Sequence, residues 1–377
     1  MRFRGLLALL AWLVLLLAPG PAQASPPSAW TGAVVPLRPR DDHASALVAL
    51  APPSNEHPLG TVAIFGQNVS DVTDDASALV LLAHAWDLAT QKVIATKRIA
   101  SLTDTNSAFT AVRDGDRILL VVAGQGKPAA VTLFTLDESL EVLSRDELGR
   151  GQTPSLAISD RWIVAGFFEE RTTDVPPPPA PQAFPMHLGF HAVTLDRVSH
   201  TVVGARIFQG TRLFYPSIDA RLSTHAIAML GDVAYLSLPG ASQAFVIEAK
   251  LPSLAPRASL LLDGFLVNSG SAPIHAVDDK LVVLTPLGFR VLTRQLALVP
   301  QKIENHTLTL AWNAKRSILF GMGRRATGVP WSWIGVAEVE CEQTIWAWDQ
   351  PVALCGGNEG YAIPDSAVTP IRLFRRR

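Results

Sequence analysis

The stretch His84-Ala-Trp-Asp-Leu-Ala-Thr-Gln-Lys-Val-Ile94 reads as an apolar strand ending at Asp87, a polar turn and a second strand. The same succession recurs at Phe134-Thr-Leu-Asp137 with Glu141-Val-Leu143, and at Val193-Thr-Leu-Asp196 with Thr201-Val-Val203. Phe245-Val-Ile-Glu248, the weaker Arg290-Val-Leu-Thr293 and Trp346-Ala-Trp-Asp349 continue the series, with turn positions 45 to 59 residues apart. A second element alternates with the first: a strand carrying a small residue, a tight polar turn and another apolar strand. Its clearest copies are Ala111-Val-Arg-Asp-Gly-Asp-Arg-Ile118, Ala157-Ile-Ser-Asp-Arg-Trp-Ile163 and Ala276-Val-Asp-Asp-Lys-Leu-Val282. Ala228-Met-Leu-Gly-Asp-Val233 and Ala311-Trp-Asn-Ala-Lys-Arg-Ser-Ile318 are looser versions, and a first copy around Ala49 turns through Pro52-Pro53. Asp-Gly, Asp-Asp and Gly-Asp pairs suit the positive φ that two-residue hairpin turns demand.

Two hairpins per period of about 50 residues make a four-stranded unit, and such units repeated radially are the blades of an all-β, β-propeller fold. A β-helix would need a much shorter period. Face-to-face stacking buries both sides of each sheet, which accounts for a chain that is 48% hydrophobic and 17% charged. Six units span residues 45 to 355, and Ala362-Ile-Pro-Asp-Ser-Ala-Val368 with the strand that follows, to Phe374, offers material for another. With Thr31 to Leu37 as an outer strand, the two chain ends would share a closing blade and seal the ring, which removes an exposed edge. The expectation is therefore seven blades, with six as the alternative.

Residues 1–24 have the layout of a secretory signal peptide. Arg2 and Arg4 precede an apolar run from Gly5 to Ala18, Pro19-Gly20-Pro21 breaks it, and Ala22-Gln23-Ala24 places small residues before Ser25. That run spans about 21 Å as a helix, short of a bilayer core of about 30 Å. An uncleaved anchor is the alternative. The expected product is one propeller domain over residues 25–377, exported to a periplasmic or extracellular space and not spanning a membrane. With 32 basic and 33 acidic residues, the whole chain lacks the basic excess of a nucleic-acid binder. Cys341 and Cys355 are the two cysteines. In an oxidising compartment they would close a short loop worth about 3 kcal/mol, with two unlinked thiols as the alternative. No histidine pattern near them supplies the further ligands zinc needs.

Connections between second and third strands share a face with the loops that join one blade to the next. The expected long ones are 67–77 with Asp71, Asp74 and Asp75, 171–186 with Pro176 to Pro179, and 323–342 with Arg324, Arg325, Trp331 and Trp333. Long loops on one face make a binding surface, or are tolerated surface decoration. Five residues before each inner-strand alanine lie Asn106, Gln152, Ser223, Ser271 and His306, a polar ring at the mouth of a central channel. Such groups orient a polar ligand, though the same residue types serve ordinary tight loops.

Other motifs carry less. Gly321-Met-Gly323-Arg-Arg-Ala326 matches a dinucleotide glycine fingerprint, but Thr327-Gly-Val-Pro330 stops the helix that fingerprint requires. The three aspartates of the first long loop lack calcium-loop spacing. His187 and His191 are four apart beside a strand, where that spacing makes no helical metal face. Asn68-Val-Ser70 and Asn305-His-Thr307 match glycosylation sequons. Arg375-Arg376-Arg377 reads as a solvated tail. No metal or cofactor is expected.

The stretch 84–94 resembles the repeat of quinoprotein-type propellers, in which an Ala-Leu-Asp strand end precedes a Thr-Gly-Lys turn and an outer strand. This chain has Thr90-Gln91 at the turn, and Trp346-Ala-Trp-Asp349 matches the strand end only. The resemblance implies the propeller fold, and no quinone-binding motif accompanies it. The leading expectation is a binding or scaffold protein that recognises a protein or polar ligand through the long-loop face. Arg324, Arg325, Trp331 and Trp333 are its most adhesive side chains, because aromatic and Arg residues anchor interfaces. The alternative is a hydrolase, lyase or oxidoreductase with its site at the channel mouth.

Overall fold

A computed structural model describes residues 30–34, 46–69, 79–102, 108–125, 130–171, 185–214, 225–239, 244–262, 273–277, 279–285, 288–299, 321–324, 330–334, 337–347, 350–356 and 371–376. These residues hold antiparallel strands and no helix. After β1 (Trp30–Val34), the first sheet is β2 (Ala46–Ala51), β3 (Thr61–Val69), β4 (Leu79–Asp87) and β5 (Lys92–Leu102). The second is β6 (Ala108–Asp114), β7 (Arg117–Gln125), β8 (Ala130–Leu136) and β9 (Val142–Arg150). The third is β10 (Gln152–Ile158), β11 (Trp162–Arg171), β12 (Pro185–Asp196) and β13 (Val202–Phe214). The fourth is β14 (Ile227–Leu230), β15 (Val233–Pro239), β16 (Ala244–Lys250) and β17 (Ala255–Leu262). The fifth has three described strands, β18 (Ile274–Val277), β19 (Lys280–Thr285) and β20 (Gly288–Leu292). The sixth runs through β21 (Gly321–Arg324), β22 (Pro330–Ile334), β23 (Ala337–Ala347), β24 (Gln350–Gly356) and β25 (Ile371–Arg376), and ends on β1.

The period of two residues along each middle strand shows why the sheets stack. On β7, Ile118, Leu120 and Val122 pack with Phe65, Leu81 and Phe109 between the first and second sheets. The intervening Leu119, Val121 and Ala123 pack with Ile163, Ala165 and Phe167 between the second and third. A strand buried on both faces needs an unbroken apolar run, and Ile118-Leu-Leu-Val-Val-Ala123 supplies one. Trp162, Phe168 and Phe190 meet Leu236, Leu251 and Leu254 between the third and fourth sheets. Tyr235 and Val246 meet Leu281 and Val283 between the fourth and fifth. Leu47, Val62, Ile64 and Trp86 of the first sheet also cluster with Val352 of the sixth, where β2 lies against β23. Outermost strands are mostly exposed, as on β9.

The recurring turn residue has a defined task. Asp137 Oδ1 accepts the amides of Ser139 and Glu141, both at 2.9 Å, and Asp196 Oδ1 accepts those of Val198 and Ser199 at 3.1 and 2.9 Å. Thr293 does the same for Gln295 and Ala297 at 3.3 and 3.2 Å. Gly115 and Gly231 open the two-residue turns of the second and fourth sheets with φ of 62° and 64°. That is the type II′ pattern.

Three expectations change. The turn expected at Glu248 lies at Leu251–Leu254, because β16 continues through Lys250. The long loop expected over 323–342 is instead occupied by β22 and the first part of β23, with Ile334 paired to Ala337. The Arg375-Arg376 tail is strand: Arg375 pairs with Val352 on one side and Thr31 on the other. Ala311–Ile318 and Ala362–Val368 lie outside the described residues, and β25 pairs with β24 on one side and β1 on the other.

Gly204 of β13 marks a close approach between sheets: a Cβ there would lie 2.1 Å from the Pro252 carbonyl oxygen. Backbone cannot swing aside as a side chain can, so Gly204→Ala lowers stability by about 2–3 kcal/mol. Urea unfolding followed by tryptophan fluorescence checks this, and a change below about 0.5 kcal/mol would contradict it.

Candidate functional site

The turns joining first to second and third to fourth strands gather at one edge of the sheets. There the polar groups are spent on structure. Asp87 Oδ1 accepts the Ala89 and Thr90 amides at 2.6 and 2.9 Å, and its Oδ2 lies 2.7 Å from His57 Nδ1. Burial opposes ionisation of Asp87, but the hydrogen bonds from His57, Thr90 and Ala89 together hold it below the ordinary carboxylate range. Arg197 of the third sheet donates from Nε to Asp114 Oδ1 of the second at 2.6 Å, and from a terminal nitrogen to the Ser159 carbonyl at 3.0 Å. Lys97 and Glu141 pair between the first and second sheets.

The innermost strands begin at the opposite edge, and a different cluster sits there. His225 precedes β14 and His275 is the second residue of β18, on adjoining sheets, with ring centroids 5.1 Å apart and planes inclined at 42°. The main chain fixes both. The Ile274 amide donates to the His225 carbonyl at 2.8 Å. The Ala226 amide donates to Ser155 Oγ of the third sheet at 3.0 Å, and the Ala226 carbonyl accepts from the Ser237 amide at 2.8 Å. Three sheets therefore hold the segment 225–226. Burial pushes the His225 imidazole down to about 4. Burial, together with the charge on His225, pushes His275 down to about 3. Both rings are neutral at neutral pH, and His275 Nε2 is buried with no hydrogen-bond partner among the described residues.

The residues expected at the channel mouth fare unevenly. Gln152 is the first residue of β10, exposed and paired through its backbone with Phe168. Asn106, Ser223, Ser271, His306 and Arg325 lie outside the described residues, as do Asp71, Asp74, Asp75, Pro176 to Pro179 and Asn305. Arg324 ends β21 and pairs with Pro330, while Trp331 and Trp333 lie in β22 opposite Gly323 and Gly321. These three are thus strand residues rather than loop residues. His187 and His191 both belong to β12, and His191 packs edge-on against Phe167 at 4.9 Å. Cys341 and Cys355 stand directly opposite one another in the β23–β24 register. The His225–His275 pair went unmarked in the sequence because each histidine looks isolated there. Their spacing of one repeat was the available signal.

No protein-family model matches this chain, and no curated protein matches it. Solved structures similar to it include the Pyrococcus horikoshii acylaminoacyl peptidase in an orthorhombic crystal form, at 11% identity and TM-score 0.46, covering 83% of this chain and 49% of that one. Another is a Dos1 propeller, at 10% identity and TM-score 0.45, covering 92% of this chain and 94% of that one. The chain spans about half the length of the peptidase. Likeness at this level assigns neither family nor activity, so the propeller-like arrangement rests on the chain's own sheets and the clusters between them.

Proposed function

We propose that this chain is an exported β-propeller, closed by packing of its first sheet on its last, that binds a protein or polar ligand through the edge where the innermost strands begin. The asymmetry between the two edges carries this reading. At one edge the turns are short and saturated by their own Asp, Thr and Arg side chains. At the other edge β3 ends at Val69 and β4 begins at Leu79, and β11 ends at Arg171 and β12 begins at Pro185, so that residues 70–78 and 172–184 of the sequence separate these paired strands. A face built to recognise something needs groups not already committed to the fold, and connections whose length the fold does not require. The opposed Cys341 and Cys355 suit a disulfide across β23 and β24, in keeping with export. An enzyme with its site at the same edge is the second reading, favoured by the neutral His225–His275 pair.

Site-specific photo-crosslinking in the producing cell tests the reading on protein whose intact mass shows cleavage after Ala24 and loss of the two thiol hydrogens. A crosslinker at Thr73 or Thr173 should trap adducts that one at Ser139 or Ser199 does not. Adducts from Ser139 and Ser199 alone, or in equal yield from all four, would overturn it.

A further inference from the structure

A ring nitrogen shut away from water without a partner costs about 1–3 kcal/mol. His275 Nε2 is in that condition among the described residues, and it sits beside a second imidazole rather than among aliphatic side chains alone. The arrangement is imposed by the main chain and is not left to side-chain choice. Ile274 is bonded to His225, and Ala226 is tied to both Ser155 and Ser237.

The separation of the rings suggests what satisfies His275 Nε2. Two imidazoles that each give one nitrogen to a tetrahedral ion, through bonds of about 2.0–2.1 Å, have centroids about 5 Å apart and inclined planes. The His225 and His275 rings lie 5.1 Å apart at 42°. Neutral imidazole is a ligand of choice for zinc, copper, nickel and cobalt, and a ring that is already neutral has no proton to surrender before it coordinates. Calcium and magnesium would instead require a set of oxygen ligands.

We propose that His225 and His275 together bind one divalent transition-metal ion of the zinc and copper class, each through one ring nitrogen, where the innermost strands of the fourth and fifth sheets begin. Among the described residues no third His, Cys, Asp or Glu joins them. Where water or a small ligand fills the ion's remaining positions, the metal is a Lewis-acid or ligand-docking centre. The proposal does not depend on the recognition reading above, since it concerns two side chains and an ion.

The test uses the mature chain, residues 25–377, freed of metal with EDTA and titrated with Cu²⁺ and Co²⁺. One equivalent should bind, and pulsed electron paramagnetic resonance of the copper form should show two coordinated imidazoles. His225→Gln and His275→Gln should each weaken binding at least about tenfold while His57→Gln does not, with melting curves of the metal-free variants showing that they fold. If a variant fails to fold, the wild-type spectrum decides. Failure to bind, a copper spectrum with one imidazole or none, or unchanged affinity in both folded variants would each overturn the site.

Discussion

Acidification from about pH 7 to about pH 5 lowers the stability of the metal-free protein by about 4 kcal/mol, and two side chains account for it. In the unfolded chain His225 and His275 titrate near 6.5. In the folded protein burial holds them down to about 4 and about 3. As the pH falls below about 6.5 the unfolded state takes up protons that the native state refuses, so stability drops, by about 2 kcal/mol for each histidine at pH 5. His84, lowered by burial, acts in the same direction. The carboxylates work in a different window. Asp87, Asp137 and Asp196 are held below their ordinary values, so what they contribute is intact at pH 5 and disappears only as the pH falls through those depressed values. Urea midpoints measured at several pH values in EDTA check the result, and the double variant His225→Gln with His275→Gln should flatten the slope. A midpoint that does not move between these pH values would show that the imidazoles are not shielded from water.

That pair also marks the limit of what a linear reading reveals. The turn residues at Asp87, Asp137, Asp196 and Thr293 were visible because each acts on amides two to four residues ahead, a local effect that leaves a local pattern. The middle strands were visible because burial on two faces demands an unbroken apolar run, as in Ile118 to Ala123. The histidines meet only through the adjacency of β14 and β18, which no local pattern reports. The stretch 323–342 misled for another reason. Its Gly, Arg, Thr and Pro residues look like loop chemistry, whereas Pro330 to Trp333 pair with Gly321 to Arg324 on one side and Ile334 pairs with Ala337 on the other. Arg375 and Arg376 misled through their charge. Charge does not report backbone pairing: β25 lies between β24 and β1, and the β1–β25 pairing joins two stretches far apart in sequence.

Replacing Trp86 with alanine is expected to cost about 3–5 kcal/mol and to loosen one junction rather than the whole molecule. Trp86 is 2% exposed and belongs to the cluster of Leu47, Val62, Ile64, Leu88 and Val352. Five of those six residues come from the first sheet and the turn that follows β4, and Val352 comes from the sixth. The cavity left by the indole therefore opens where the two ends of the array meet. Hydrogen exchange should accelerate most in β2, β3, β23 and β24, and least in β10 to β12, which pack elsewhere. Trp86→Phe separates packing from polarity. The indole Nε1 is buried without a partner among the described residues, so its removal relieves a penalty of about 1–3 kcal/mol that partly offsets the lost volume. The net loss should stay below about 1.5 kcal/mol. Exchange that rises evenly across all sheets in Trp86→Ala, or a loss under about 1 kcal/mol, would mean that the first and last sheets are not held together through this residue. The proposed closure of the ring would then need another contact to carry it.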